Sequence, residues 1–223
     1  MWRLHNMVNE IFCYDNYFSE EDMAIIEEAV VKNLPGEDGI HPYGPFANQL
    51  IAHYVTLFDK NLKNTDLKQW FTAKLSPVFP KAFTIGSATR IKLFLPWDIH
   101  NDYYPDRCES NSEPYYNILI PFDNVPSRTI IFDQCSTEYS DFSKYKDTHE
   151  PVLTPLSEEF WEENLSMCWP QDRQYVTVKK IMPWQRRGQL QGFPCHYFHS
   201  SDNFHTRVNG PKSFMQLRIN AIK

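Results

Sequence analysis

The residues with the clearest capacity for chemistry in this sequence are a histidine and an aspartate two positions apart, His100 and Asp102. In an extended segment, side chains at positions i and i+2 project on the same side, so an imidazole nitrogen and a carboxylate oxygen can reach one cation. Taken alone, a His-x-Asp tripeptide is a weak signal, because such pairs also occur in solvated loops. The pair is therefore a candidate for part of a metal site that needs a further ligand.

Histidines nearer the carboxy terminus can supply that ligand. An open divalent iron site is completed by a second histidine from a later strand, which leaves three coordination positions free. The candidates are His199, His205 and His196. Of these, His199 lies on the strand that follows a Phe-Pro corner at Phe193 and Pro194.

Short apolar or alternating runs between turn residues predict a series of strands from about residue 84 onward. The predicted strands cover residues 88–95, 115–120, 129–132, 175–178, 189–193 and 213–222. In the last of them, Lys212, Gln216 and Arg218 share one face, and Met215 and Leu217 share the other. The polar face is either exposed to solvent or lines the inside of a barrel that holds a small ligand.

The first 83 residues are predicted to be mainly helical. Ser19 is a plausible N-cap for a helix that ends near residues 33–36, and residues 46–58 and 67–75 also show helical spacing. Residues 136–174 are predicted to be an insertion that contains an acidic helix at 157–163. We expect this insertion to cover the mouth of a cavity or to contact substrate. Helices followed by strands favour an α+β fold, in a single domain of residues 1–223, with the helices packed on one outer face.

Composition narrows the classes of partner and compartment. The chain has 223 residues, 42% hydrophobic and 22% charged, with a formal net charge of −6, which disfavours a general affinity for nucleic acid. No apolar stretch is long enough to span a membrane. The five cysteines are scattered and form no CxxC pair, so we expect free thiols in a cytoplasmic protein.

From Arg90 to Lys223, the motifs resemble those of the iron(II)- and 2-oxoglutarate-dependent dioxygenases, in the prolyl-hydroxylase-like and phytanoyl-hydroxylase-like branches. In that family an H-x-D pair follows the first long core strand, and the distal histidine follows a pattern that Gly188, Phe193-Pro194 and His199 match. The resemblance implies a mainly β, double-stranded β-helix (jelly-roll, cupin-like) core over residues 84–223. It also implies that His100, Asp102 and His199 are the metal ligands, with His205 as the reserve.

The same resemblance implies an Arg or Lys on the final strand that binds the distal carboxylate of 2-oxoglutarate. Lys212 and Arg218 are both candidates, because neither stands at the commonest interval of the family. A guanidinium pairs bidentately with a carboxylate and keeps its charge when buried, which favours Arg218. Tyr115, Asn117 and Tyr103 are candidates for an additional hydroxyl or amide contact.

The cofactors implied are Fe(II), 2-oxoglutarate as cosubstrate, and O₂. Decarboxylation of 2-oxoglutarate to succinate would accompany hydroxylation of a small molecule or a protein side chain. Because Asp102 is retained, hydroxylation is favoured over halogenation. The sequence predicts no oligomeric state.

Two other functions remain open at this point. One is a cupin-like metal-dependent isomerase or hydrolase that uses the same ligands, and the other is a non-catalytic jelly-roll binding module. A buried cation on the last strand would distinguish the oxygenase from these two functions, because only the oxygenase requires one to bind a dicarboxylate.

Overall fold

Ten strands and four α-helices make up the part of the chain that the computed structural model describes, namely residues 10–40, 49–108, 110–138, 141–184, 186–207 and 210–223. The strands are β1 (Phe12–Tyr14), β2 (Glu37–Ile40), β3 (Leu50–Phe58), β4 (Phe83–Leu93), β5 (Ser112–Pro121), β6 (Ser127–Cys135), β7 (Val178–Trp184), β8 (Leu190–Pro194), β9 (Tyr197–Ser201) and β10 (Lys212–Ile222). The helices are α1 (Glu20–Lys32), α2 (Thr65–Leu75), α3 (Phe142–Lys146) and α4 (Glu158–Leu165).

The strands form two antiparallel sheets. The larger sheet has the strand order β1-β8-β5-β10-β4-β3-β2, and the smaller has the order β7-β6-β9. Strands that are neighbours in space are mostly distant in sequence, because the chain crosses repeatedly between the sheets, as in a jelly roll. The predicted mainly β, jelly-roll fold is confirmed.

Apolar side chains from both sheets meet in the space between them. Ile91 and Phe214 of the larger sheet belong to the same buried cluster as Ile131 and Met182 of the smaller sheet. The two sheets therefore pack face to face.

A second buried cluster lies on the outer face of the larger sheet. Met23 of α1 and Phe71 of α2 pack there with Leu217 of β10. The prediction that amino-terminal helices cover one outer face is confirmed. On β10, Met215 and Leu217 therefore point toward the helices, and Gln216 and Arg218 point between the sheets, where they line a cavity.

The prediction of a helix over residues 46–58 is wrong where the structure describes this segment. Residues 46–48 lie outside the described part, and Leu50–Phe58 is strand β3, which pairs with β4. Both faces of β3 are covered, with Val55 in the cluster under the helices and Ile51 in the cluster between the sheets. Apolar residues on both faces remove the alternation that identifies a strand. Residues 1–83 are consequently not mainly helical support, because β1, β2 and β3 belong to the larger sheet.

Other predicted elements fit more closely. Helix α1 begins after Ser19, whose Oγ accepts a hydrogen bond of 3.2 Å from the backbone N–H of Asp22. The predicted strand over residues 175–178 is wrong except at its last residue, because β7 begins at Val178. The backbone N–H of Thr177 instead donates to the side chain of Gln134 at 2.9 Å, which satisfies it without a strand partner.

The segment between β6 and β7 contains α3 and α4, and the predicted acidic helix is α4. Ser157 caps α4 by accepting a hydrogen bond of 3.1 Å from the backbone N–H of Phe160. Trp161 of α4 packs with Phe198 of β9 on the outer face of the smaller sheet. The described residues of this insertion do not line the large cavity, contrary to the prediction.

No helix within the described ranges combines the length and apolar character needed to cross a lipid bilayer. All five cysteines are free thiols.

Candidate metal centre

Backbone pairing places His100 directly opposite His199. The backbone N–H of His100 donates to the carbonyl of His199 at 3.1 Å, and the N–H of His199 donates to the carbonyl of His100 at 2.8 Å. This antiparallel bridge adds the segment around His100 to the free edge of β9. Directly opposed residues project their side chains on the same face, so the two imidazoles come together, with ring centroids 4.4 Å apart.

Asp102 is held by the turn that connects β8 of the larger sheet to β9 of the smaller sheet. Its backbone N–H donates to the carbonyl of Cys195 at 3.0 Å. Between the two candidate ligands, the Asn101 side chain donates to the carbonyl of Ser136 at 3.0 Å. Both ends of the His-x-Asp motif are thereby fixed to neighbouring strands, and His100 and Asp102 project to the same side as expected.

The three predicted metal ligands converge on one point. His100, Asp102 and His199 each offer one ligand atom, and these atoms lie within 4.8 Å of one another. The Nε2 atom of His199 lies 3.3 Å from Oδ2 of Asp102. Two imidazoles and one carboxylate with open positions are the donor set of non-heme Fe(II) sites.

Backbone carbonyls select the ring nitrogen that each histidine presents. His100 Nδ1 lies 2.7 Å from the carbonyl of Asp98, and His199 Nδ1 lies 3.2 Å from the carbonyl of Tyr197. A carbonyl accepts but does not donate, so each Nδ1 carries the proton. Each Nε2 is then the nitrogen left to coordinate a metal, and at His199 the metal would take the place of the contact between Nε2 and Asp102.

The charge states also fit a metal site. Burial, assisted by the neighbouring charge of His199, lowers the pKa of His100 to about 4, so this imidazole is neutral at neutral pH. Burial alone would raise the pKa of Asp102, but the hydrogen bond and charge of His199 and the charge of Arg218 outweigh it and hold the pKa well below its usual range. Asp102 is therefore ionised.

Two amides orient the Asp102 carboxylate. Asn117 Nδ2 donates to Oδ2 at 2.6 Å, and Gln216 Nε2 donates to the same oxygen at 3.1 Å. Both side chains come from the larger sheet, Asn117 from β5 and Gln216 from β10. Such outer contacts fix the direction in which a ligating carboxylate points.

A large cavity opens on one side of the triad, with a volume of about 740 Å³. His100, Asp102 and Arg218 lie at its inner end. Aromatic rings form part of its wall, and Tyr54 stacks on Trp97 with ring centroids 6.1 Å apart. Its rim carries exposed charged residues of both signs, including Glu37, Lys60 and Arg107.

A second, much smaller cavity of about 20 Å³ lies on the other side, between the sheets. Both histidines line it, and so does Lys212. The Lys212 side chain is 1% exposed, and its Nζ lies 4.1 Å from the centre of the Trp184 ring. Burial lowers the pKa of Lys212 to about 7, against the opposing charges of Asp202 and Asp123.

Arg218, the other predicted anchor, lies beside Asp102. Its Nη2 is 3.6 Å from Oδ1 of Asp102, and its guanidinium carbon lies 4.8 Å from the centre of the Tyr104 ring. Its Nε atom is buried and has no hydrogen-bond partner among the described residues. Arg218 and Lys212 share one face of β10, and Gln216 between them contacts Asp102.

Other predicted site residues lie away from the triad. His205 is in a short 3-10 turn, Phe204–Thr206, and His196 is in the turn between β8 and β9. Neither belongs to the metal-ligating group found among the described residues. Tyr103 does not line either cavity.

A β-bulge turns Tyr115 away from the site. Ile219 pairs with Tyr116 and Asn220 pairs with Pro114, so Tyr115 is an extra residue in β5. Its ring packs on Phe79, 6.1 Å between centroids, in the cluster under the helices. Asn117 lies beyond the bulge and contacts Asp102 as described above.

Two side chains that line the large cavity, Gln216 and Tyr54, are not among the site residues predicted from the sequence. Gln216 stood on the polar face of the last strand, but no role was assigned to it. Tyr54 was missed because β3 was taken for a helix. Burial raises the pKa of Tyr54 to about 12, with a further contribution from Asp102, so its hydroxyl stays protonated at the mouth.

No protein-family model and no curated protein matches this chain. Several solved structures are similar to it in fold. The epimerase SnoN from nogalamycin biosynthesis, described as non-heme and alpha-ketoglutarate-dependent, superimposes with a TM-score of 0.58 and 12% identity over 96% of this chain and 79% of its own. The similarly described carbocyclase SnoK gives a TM-score of 0.55 and 14% identity over 96% of this chain and 80% of its own. EctD from S. alaskensis, solved with 2-oxoglutarate and 5-hydroxyectoine, gives 0.54 and 12% over 96% and 73%. The chain therefore shares the fold of these proteins along nearly its whole length.

Proposed function

We propose that this protein is an Fe(II)- and 2-oxoglutarate-dependent oxygenase that hydroxylates a small molecule. The observation that carries the proposal is the convergence of His100, Asp102 and His199, with ligand atoms within 4.8 Å of one another. The two Nε2 lone pairs and the ionised carboxylate suit a divalent iron. When bound, Fe(II) with 2-oxoglutarate and O₂ supplies the oxidising power for C–H hydroxylation, with succinate and CO₂ as co-products.

The chain's own residues hold this site in its working form. His100 and His199 bind through Nε2 because their Nδ1 protons are engaged by the carbonyls of Asp98 and Tyr197. Asn117 and Gln216 both donate to Oδ2 of Asp102 and so fix the direction of its carboxylate. The orientation of both rings and the ionised carboxylate are therefore set before an ion binds.

Lys212 and Arg218 have separate roles in this proposal. Lys212 binds the distal carboxylate of 2-oxoglutarate, because a buried ammonium that forms no ion pair within the described ranges gains most from an anion. Arg218 lies 3.6 Å from Asp102, so its role is to place a positive charge beside this metal-binding carboxylate. The small cavity must widen to admit the cosubstrate between the histidines and Lys212.

The large cavity favours a small molecule over a protein side chain as substrate. A volume of about 740 Å³ falls within the range of small-molecule sites. Tyr54 and Trp97 supply aromatic surface on which a substrate can pack. SnoN has been solved in complex with nogalamycin RO and EctD with 5-hydroxyectoine, and these small molecules support the same class of substrate here.

The buried Lys212 also separates this proposal from a cupin-like isomerase or hydrolase. Such an enzyme has no need of a fully buried cation next to its metal ligands. A non-catalytic binding module likewise leaves the converging lone pairs without a role.

Variants of the triad test the proposal. His100→Ala, Asp102→Ala and His199→Ala should each reduce succinate formation from 2-oxoglutarate to background, because each removes one of three ligands. The measurement is succinate release with Fe(II) and ascorbate under air, and circular dichroism verifies the fold. His205→Ala is the matched control, since it removes a histidine outside the triad and should retain turnover. Full turnover by any triad variant, or loss in the control alone, would contradict the assignment.

A further inference from the structure

A hydrogen-bonded chain behind Lys212 leads from its ammonium to a buried carboxylate. Lys212 Nζ donates to Ser127 Oγ at 3.3 Å, and Ser127 Oγ donates to Oδ1 of Asp202 at 2.9 Å. A serine hydroxyl has one proton, and here it is directed at Asp202. Ser127 therefore accepts a hydrogen bond from Lys212 with a lone pair. It connects the ammonium to the Asp202 carboxylate through two consecutive hydrogen bonds.

Asp202 is fully buried, with an exposure of 0%. Its second oxygen, Oδ2, forms an ion pair with Arg207. Its backbone is also fixed, because its N–H donates to the carbonyl of Arg128 at 3.2 Å. A carboxylate held in this way keeps a constant position behind Ser127.

We propose that Ser127 and Asp202 are positioning residues that keep Lys212 protonated and directed toward the small cavity. This inference rests on the proposed function, in which Lys212 binds the distal carboxylate of 2-oxoglutarate. Burial favours loss of the lysine proton, and a nearby negative charge opposes that loss. Asp202 supplies the charge, and Ser127 supplies the contact.

The hydroxyl between the two charges has a specific consequence. In a direct Lys-Asp ion pair, the aspartate would occupy the ammonium and compete with an incoming carboxylate. Here Lys212 makes one hydrogen bond, to Ser127, among the described residues. An ammonium has three N–H donors, so donors remain for the cosubstrate.

Few other charges act on Lys212. Asp123, after β5, is a second carboxylate whose charge raises the pKa of Lys212, and its own pKa is raised by burial. Arg207 approaches through its ion pair with Asp202 and partly offsets that charge. Within the described part of the chain, the ammonium also faces the rings of Trp184, Phe204 and Phe214.

A titration of the metal-free protein tests the inference without any turnover. Lysine side chains labelled with ¹⁵N are followed by NMR across pH, and Lys212→Met identifies the signal of Lys212. Asp202→Asn and Ser127→Ala should each make the Lys212 ammonium roughly tenfold more acidic, the effect of losing one favourable charged contact. Asp133→Asn is the matched control, because it breaks a surface pair with Lys179 at 3.0 Å and should leave Lys212 unchanged. An unchanged Lys212 titration in both test variants would overturn the inference.

Binding of 2-oxoglutarate to the anaerobic Fe(II) protein gives an independent readout. Relative to the unaltered protein, both variants should bind 2-oxoglutarate roughly tenfold more weakly above about pH 8 and with little difference near about pH 5, where Lys212 is protonated in all of them. A loss that is the same at every pH would indicate only a structural role and would refute positioning through charge. If the unaltered protein itself fails to bind 2-oxoglutarate, the proposed function fails, whereas the NMR titration still decides the roles of Ser127 and Asp202.

Discussion

At the residue scale, the two candidate histidine ligands are prepared by the same local device. In each, Nδ1 contacts the backbone carbonyl two residues earlier, Asp98 for His100 and Tyr197 for His199. A side chain held this way has one available nitrogen and a restricted ring orientation. The sequence could not show this, since the carbonyl positions depend on the backbone path. The sequence alone did predict that His100 and Asp102 act as a pair, because side chains at positions i and i+2 of an extended segment lie on the same side.

The proposed function requires Lys212, but burying its charge lowers the free energy of unfolding of the protein. Its pKa is about 7 in the folded protein, against an ordinary value of 10.5. Between these pH values the unfolded chain binds one more proton than the folded chain, so folding stability rises with pH in this window. Below about pH 7 the full penalty of burying the charge is present.

Lys212→Met should therefore stabilise the metal-free protein at pH 7, by roughly 1 kcal/mol or more, because a buried charge is replaced by an apolar chain of similar length. The advantage should shrink as the pH approaches about 10. Urea unfolding at several pH values measures it, with Lys179→Met on the surface as control. A Lys212→Met protein that is less stable than the original at pH 7 would mean that the ammonium is well satisfied in the absence of a ligand.

At the element scale, the site depends on pairings that sequence patterns predict unevenly. Strands β5, β8 and β10 were predicted because alternation or turn residues marked them. Gly188 lies just before β8 with a φ of +74°, a conformation that favours glycine, so the pattern that pointed to His199 has a structural cause. Strand β3 was missed because both of its faces are covered, and the bulge that turns Tyr115 away depends on the register with β10.

Helix α1 packs on the face of the larger sheet opposite the site. A change in α1 should therefore alter the free energy of unfolding without altering catalytic activity. Ser19→Ala removes the N-cap contact with Asp22 and should lower the free energy of unfolding by about 1 kcal/mol. Succinate formation at a temperature well below the melting transition should not change. Chemical unfolding and the succinate assay measure the two effects. A parallel loss of activity in the fully folded variant would show that α1 influences the site.

At the scale of the whole molecule, the candidate centre exists only when both sheets are in place. The smaller sheet provides His199 and Ser127, whereas the larger sheet provides Asn117, Gln216 and Lys212. Apolar packing between the sheets surrounds this polar centre, which gives it a low dielectric and strengthens each charge–charge contact. A mainly β fold followed from the strand series in the sequence, but which polar side chains meet between the sheets followed only from the topology.

In the proposed function, one ferrous ion and one 2-oxoglutarate bind together at His100, Asp102 and His199. Anaerobic titration of the protein with both ligands, followed by visible absorption, should give a weak charge-transfer band that needs both ligands and saturates at one ion per chain. The band should be absent from Asp102→Ala. The proposed function is wrong if the unaltered protein gives no such band or if the band persists in Asp102→Ala.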